Sequence, residues 1–192
     1  QIDRDVPDFT TNYVSAAGSH LWPYLTWATA ATNLGEAVGE AGASNVVLVA
    51  AGTNLLDAPL LLNGPLSVQS ADGAAATFII AAAPLAQSLV TMTSGLLDGF
   101  TLGAAEPGSA QYGGGIMLDG GGLVRNCVIE GFAATGYGGG VYCRGAHVSN
   151  CVVRACSAPY GGGVFVEQFG EISDSVIDGN TARCGGGGYL LF

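Results

Sequence analysis

Lysine is missing from this chain altogether, and all five basic residues are arginines. Asp and Glu number 15, so the formal net charge is −10. Nucleic-acid binding rests on clustered Lys and Arg, so this balance argues against a nucleic-acid partner. It argues equally against an anionic membrane surface or a highly acidic polysaccharide as the main partner. Charged residues of both signs make up only 10% of the sequence, against about 25% in ordinary globular domains. No apolar run reaches ~18 residues, so nothing reads as a membrane-spanning helix. The only histidines are His20 and His147, too far apart for metal-ligand spacing or a Ser-His-Asp order. The five cysteines contain no C-x-x-C pair, which argues against zinc. No metal and no cofactor is expected.

What is abundant is glycine, 32 of 192 residues, well above the ~7% average. There is no collagen period, so the glycine belongs to turns. Much of it lies in four copies of one phrase: Tyr112-Gly-Gly-Gly115, Tyr137-Gly-Gly-Gly140, Tyr160-Gly-Gly-Gly163 and Cys184-Gly-Gly-Gly187. The first glycines, 113, 138, 161 and 185, are 25, 23 and 24 residues apart. Self-similarity at such a period marks a stacked-coil architecture. An alternating strand follows each of the first three triplets: Ile116–Leu118, Val141–Cys143, Val164–Val166. A polar turn and a second strand come next: Val124–Ile129, Val148–Val153, Ile172–Ile177. Leu96–Leu102, Gly64–Gln69 and Asn45–Val49 are fainter copies. No helical pattern separates the strands. The expected fold is therefore all-β, a right-handed parallel β-helix with coils of ~24 residues, each climbing about 4.8 Å. Roughly six coils would make a rod roughly 30 Å long. The glycines are expected where a corner needs positive φ and stacked corners leave no room for Cβ.

The front of the chain differs. Leu34, Ala37, Val38 and Ala41 fall on one helical face, with Asn33 as N-cap and Glu36 three residues on, a variant of the capping box. A short helix over about 33–42 would cover the open end of the coils, as terminal caps do in repeat proteins. Trp22, Pro23, Tyr24 and Trp27 are expected to pack beside it, with an aromatic sugar platform as the competing reading. The expected division is an extended polar leader at 1–12, an N-terminal cap at 13–44, and coils over 45–192 with an uncapped C-terminal end.

Tyr13-Val-Ser15, His20, Pro23-Tyr24, Trp27–Asn33, Ala37-Val38, Val47-Leu-Val49 and Gly52-Thr53 resemble a secreted bacterial family. It is the right-handed parallel β-helix repeat family abundant in Verrucomicrobia and Lentisphaerae. The Gly-Gly-Gly-Val-Tyr-Cys and Ser-Asn-Cys-Val-Val phrases are similar to its later coils, and to repeats of the chlamydial polymorphic outer-membrane proteins. The resemblance implies the fold and a secreted or cell-surface setting. It implies no catalytic residue.

The columns make further expectations. Cys127, Cys143, Cys151 and Cys156 stand at core positions and should be buried, with Cys184 at a corner. A Cys127–Cys151 disulfide between adjacent coils is conceivable, and two thiols are favoured. Asn126, Asn150 and Asp174 should form a ladder of side-chain hydrogen bonds. Glu130, Arg154 and Asp178 recur at steps of 24, side by side as minus, plus, minus. If the chain is an enzyme, these three are its catalytic candidates, since a hydrolase needs two carboxylates and a lyase a base beside a cation. Arg154 between the carboxylates would block the water, so a surface charge ladder is the preferred reading. Asp98, Asp119, Glu167, Glu171 and Asp174 read as scattered over other columns. The expected function is a non-catalytic extracellular structural or adhesive β-helix. It would assemble head to tail through Tyr189, Leu190, Leu191 and Phe192 at its open edge, with a surface polysaccharide as a further partner. The alternative is a carbohydrate-active enzyme or carbohydrate-binding module on the same fold.

Overall fold

In the computed structural model the described residues are 10–42 and 45–191. The chain is a parallel β-solenoid of about 6 coils with one short helix. Strand β1 (Thr11–Val14) and helix α1 (Leu34–Glu40) come first. Coil one holds β2 (Val46–Val49), β3 (Gly52–Leu56) and β4 (Leu60–Leu62). Coil two holds β5 (Ser67–Ser70), β6 (Thr77–Ala81) and β7 (Val90–Met92). Coil three holds β8 (Leu96–Asp98), β9 (Thr101–Ala104) and β10 (Ile116–Asp119). Coil four holds β11 (Leu123–Arg125), β12 (Val128–Glu130) and β13 (Val141–Arg144). Coil five holds β14 (His147–Ser149), β15 (Val152–Arg154), β16 (Ser157–Tyr160) and β17 (Val164–Glu167). Coil six holds β18 (Glu171–Ser173), β19 (Val176–Asp178), β20 (Thr181–Cys184) and β21 (Gly188–Leu191).

Stacking the coils makes three long parallel faces. The first runs β1-β2-β5-β8-β11-β14-β18, the second β3-β6-β9-β12-β15-β19, and the third β4-β7-β10-β13-β17-β21. β16 and β20 add a short fourth strip where the last coils widen. The inward columns are mostly apolar, with Asn12 and Thr77 as buried polar members at the front. On the third face Leu62, Met92, Leu118, Cys143 and Val166 stack in register and are buried. Each large side chain so buried contributes about 1.5–3 kcal/mol.

The second strand expected in each repeat, Val124–Ile129 in coil four, is instead two strands on different faces, β11 and β12. Asn126, Asn150 and Asp174 divide them, with φ of 55°, 49° and 48°. Asn and Asp tolerate this left-handed conformation better than other side chains, so they stand at the corner. The expected ladder is there in part: Asn150 Nδ2 donates to Asn126 Oδ1 at 2.7 Å, and Asn126 Nδ2 continues it to Asp98 Oδ1 at 2.6 Å, while the Asp174 side chain joins no hydrogen bond among the described residues.

The glycine triplets do two jobs, and the first glycine of each does both. Only the first of each has positive φ, between 50° and 67° for Gly113, Gly138, Gly161 and Gly185. The second and third of the triplets at 113, 138 and 161 are needed for space. A Cβ on Gly139 would lie 2.3 Å from the Gly162 carbonyl oxygen, and one on Gly140 would lie 2.6 Å from Val153 Cγ1.

At the front, Asn33 caps α1 by accepting from the Glu36 N–H at 3.0 Å. Leu34, Ala37 and Val38 are buried, and the helix packs on β1 to β4. Glu36 does not close the capping box; its carboxylate turns to His20, 2.9 Å away. Thr11 and Asn12, expected in the leader, belong to β1 and pair with Val46 and Val47; residues 1–9 lie outside the described residues. The other edge of β1 is taken by the cap loop, through Tyr13 N–H to Tyr24 O and Ala31 N–H to Tyr13 O. The aromatic residues of the cap part company. Tyr24 is buried, while Trp22, 71% exposed, and Trp27 face solvent with Leu21 and Leu25.

Candidate functional site: two charged columns and an aromatic groove

The first column lies on the second face, where strand pairing sets Glu130, Arg154 and Asp178 in register. Arg154 donates from Nε and Nη2 to the same Glu130 oxygen, at 2.7 and 2.6 Å. Both side chains are solvated, and Arg154 is 56% exposed. Asp178 makes no ion pair among the described residues. A guanidinium occupies the space between the carboxylates where a hydrolytic water would stand.

A second column of the same composition lies on the third face and unites Asp119 and Glu167, expected in separate columns. Asp119, Arg144, Glu167 and Leu191 are in register across β10, β13, β17 and β21. Their positions follow the steps of 25 and 23 that the glycine triplets show, which is the signal that could have found them. Arg144 Nε donates to Asp119 Oδ1 at 2.5 Å and Nη2 bonds the same oxygen. The Tyr142 hydroxyl donates to Glu167 Oε1 at 2.5 Å. Burial, then that bond to the Glu167 carboxylate, holds the Tyr142 phenol well above the usual tyrosine range.

Aromatic rings stand beside this column in two ladders. Tyr112, Tyr137 and Tyr160, the residues that open three glycine triplets, stack at 5.6 and 5.3 Å between centroids. On the strands, Tyr142, Phe165 and Tyr189 stack at 5.8 and 5.4 Å with interplanar angles of 4° and 2°. The ladders meet edge to face, Tyr112 on Tyr142 at 5.0 Å and Tyr137 on Phe165 at 4.8 Å. Such pairs contribute about 0.5–1.5 kcal/mol each beyond area burial. Their result is a groove of about 380 Å³ with the corner tyrosines as one wall and the Asp119–Arg144–Glu167 column as the other.

The remaining predicted residues fall elsewhere. Tyr189 belongs to the ring ladder, and Leu191 extends the charged column to the groove. Leu190 continues the inward column after Val166, yet is 57% exposed. Phe192 lies outside the described residues. All five cysteines are free thiols, four buried and Cys184 exposed, as their columns imply. Burial pushes the Cys127 and Cys143 thiols up, and Cys156 up to about 11. His147 pairs with the exposed Glu171 at 3.1 Å. His20 is a clasp: its Nδ1 accepts from the Thr32 N–H at 3.0 Å and lies 2.9 Å from the Thr32 hydroxyl, tying the cap loop to the helix start. Among the described residues no three His, Cys, Asp or Glu gather as a metal site.

No protein-family model, no curated protein and no solved structure matches this chain.

Proposed function

We propose that this chain is a non-catalytic extracellular structural and adhesive β-helix whose copies stack end to end. The observation that carries the reading is apolar surface at both ends of a rod along whose sides arginines pair with carboxylates of the preceding coil. At the front, Leu21, Trp22, Leu25 and Trp27 stand exposed on the cap. At the back, Val176 and Leu190 of coil six lie open to solvent, and Phe169, which lines a surface hollow with Leu190, is 98% exposed. β18, β19 and β21 are the outermost strands of their faces among the described residues, and such edges are templates for association. A front-to-back contact is heterologous, and one that does not close gives filaments. Along the sides, Arg125, Arg144 and Arg154 each pair with a carboxylate of the preceding coil. That arrangement suits cohesion between coils better than proton transfer. The secreted bacterial β-helix family remains the family proposed, on the resemblance of residues 13–53 and of the coil phrases.

Light scattering on three proteins tests the assembly: the unmodified chain, Trp22→Lys at the front, and Leu190→Lys at the back. The unmodified chain should grow in mass with concentration and each variant should grow less. An equimolar mixture of the two variants has one intact front and one intact back, so it should stop at dimers. A chain that stays monomeric at high concentration contradicts the proposal. So does a mixture that behaves like either variant alone.

A further inference from the structure

We infer that the groove on the third face is a binding site for a neutral, hydroxyl-rich polysaccharide chain. The inference rests on the adhesive reading above and names what is held. Its first support is shape. The groove of about 380 Å³ runs along the stacking direction, because each wall is a column with one residue per coil. A cleft of that form takes a chain lying along the rod better than a compact molecule.

The second support is what the walls offer. One wall is made by Tyr112 and Tyr137, each half-exposed, and neither hydroxyl bonds to any group among the described residues. Their rings and the Met117 side chain present apolar C–H surface, and their hydroxyls can donate or accept. The other wall presents Asp119 paired with Arg144, and Glu167 accepting from Tyr142. Carboxylate and guanidinium side by side offer acceptors and donors to hydroxyl groups. A cleft that sets aromatic and aliphatic side chains beside a few convergent polar groups is the usual form of a ligand site.

The third support is what the groove refuses. Two carboxylates flank one arginine along its charged wall, in a chain of net charge −10 without lysine. A polyanion would meet repulsion there. An extended peptide that binds by joining a sheet needs a free strand edge. β10, β13 and β17 are each paired on both sides, so their edges are used up. What remains is a ligand recognised through hydroxyls and ring contact.

Native affinity electrophoresis tests this directly. Gels are cast with a soluble β-1,4-glucan derivative, a xylan, a galactomannan, or polygalacturonate. An unfolded casein digest is titrated separately. At least one neutral polymer should retard the protein, while polygalacturonate and the digest should not bind. Tyr112→Phe, which removes one hydroxyl and keeps the ring, should weaken the retardation several-fold. Tyr137→Leu should reduce it at least about tenfold, with folding checked by circular dichroism. Arg154→Ala on the second face should be slowed by the polymer, relative to a polymer-free gel, as much as the unmodified chain is. Retardation in none of the neutral gels overturns the inference, as does binding of the polyanion or the digest, or equal retardation of the Tyr112 and Arg154 variants. The assembly test changes Trp22 and Leu190, which lie outside the groove, so the two proposals fail separately.

Discussion

Two columns of charge run along this rod, and both read acid, arginine, acid. Glu130, Arg154 and Asp178 cross the second face; Asp119, Arg144 and Glu167 cross the third. Each arginine grips one oxygen of the preceding carboxylate with two nitrogens. The surroundings differ. Two residues before the first column stand Val128, Val152 and Val176, a flat β-branched row. Two residues before the second stand Met117, Tyr142 and Phe165, with the corner tyrosines rising beside them. The same charge pattern is a ladder on an open face and the rim of a groove beside a wall. What decides between them is the corner, because the tight Tyr-Gly-Gly-Gly return sets a ring next to the third face and not next to the second.

The wall can be broken at its corner. Gly139→Ala should have the largest effect, since its Cβ would meet the Gly162 and Ser157 carbonyl oxygens at 2.3 and 2.5 Å. Backbone atoms held by two coils cannot withdraw, so a loss of about 3 kcal/mol or more is expected in urea denaturation. Gly131→Ala, at φ 75° with nothing within 4 Å, carries only the left-handed penalty of about 1–2 kcal/mol. Equal midpoints for the two variants would mean the corners are not packed as described.

High pH sharpens the contrast from beneath. Cys156 lies buried where the second face gives way to the wall. The folded thiol keeps its proton up to about 11, while the unfolded one releases it near 9.0. Stability should therefore be intact below pH 9.0 and fall as pH rises toward about 11. Two pH units amount to on the order of 3 kcal/mol. Cys156→Ala should flatten that part of the stability curve; an unchanged slope would contradict the burial.

On the groove side, Tyr142→Phe removes the hydroxyl donated to Glu167 and should cost about 1–2 kcal/mol. In an ultraviolet titration of the unmodified chain, one tyrosine should stay protonated past the usual range, and the variant should lose that late phase. On the open face, Arg154→Ala should cost within about 1 kcal/mol, because an exposed ion pair contributes little. A loss several times larger in thermal denaturation would make the second-face column more than a ladder.

Much of this was legible in the residues. The triplet spacing gave the coils, Asn33 with Leu34, Ala37 and Val38 gave the helix, and the cysteine columns gave their burial. The divided second strand was legible too, though it was read as one. Val124, Cys127 and Ile129 are all buried, and the interval of three between the first two breaks the period of two. That break is the Asn126 corner. The Asp119–Arg144–Glu167 column went unseen because it must be counted from the glycine triplets, across corners of unequal length. The exposure of Trp22 and Trp27 was not legible. Which ring of a loop turns inward is set by the backbone bonds of the cap, not by hydropathy.

The most direct test of the difference between the two columns removes the same charge from each. Asp119→Asn and Glu130→Gln both neutralise the carboxylate that an arginine grips, one at the groove and one on the open face. In a neutral-polysaccharide gel that retards the unmodified chain, Asp119→Asn should run nearly free, and Glu130→Gln should be retarded as before. Equal retardation of the two variants would contradict the account, because the columns would then differ in nothing that binding can detect.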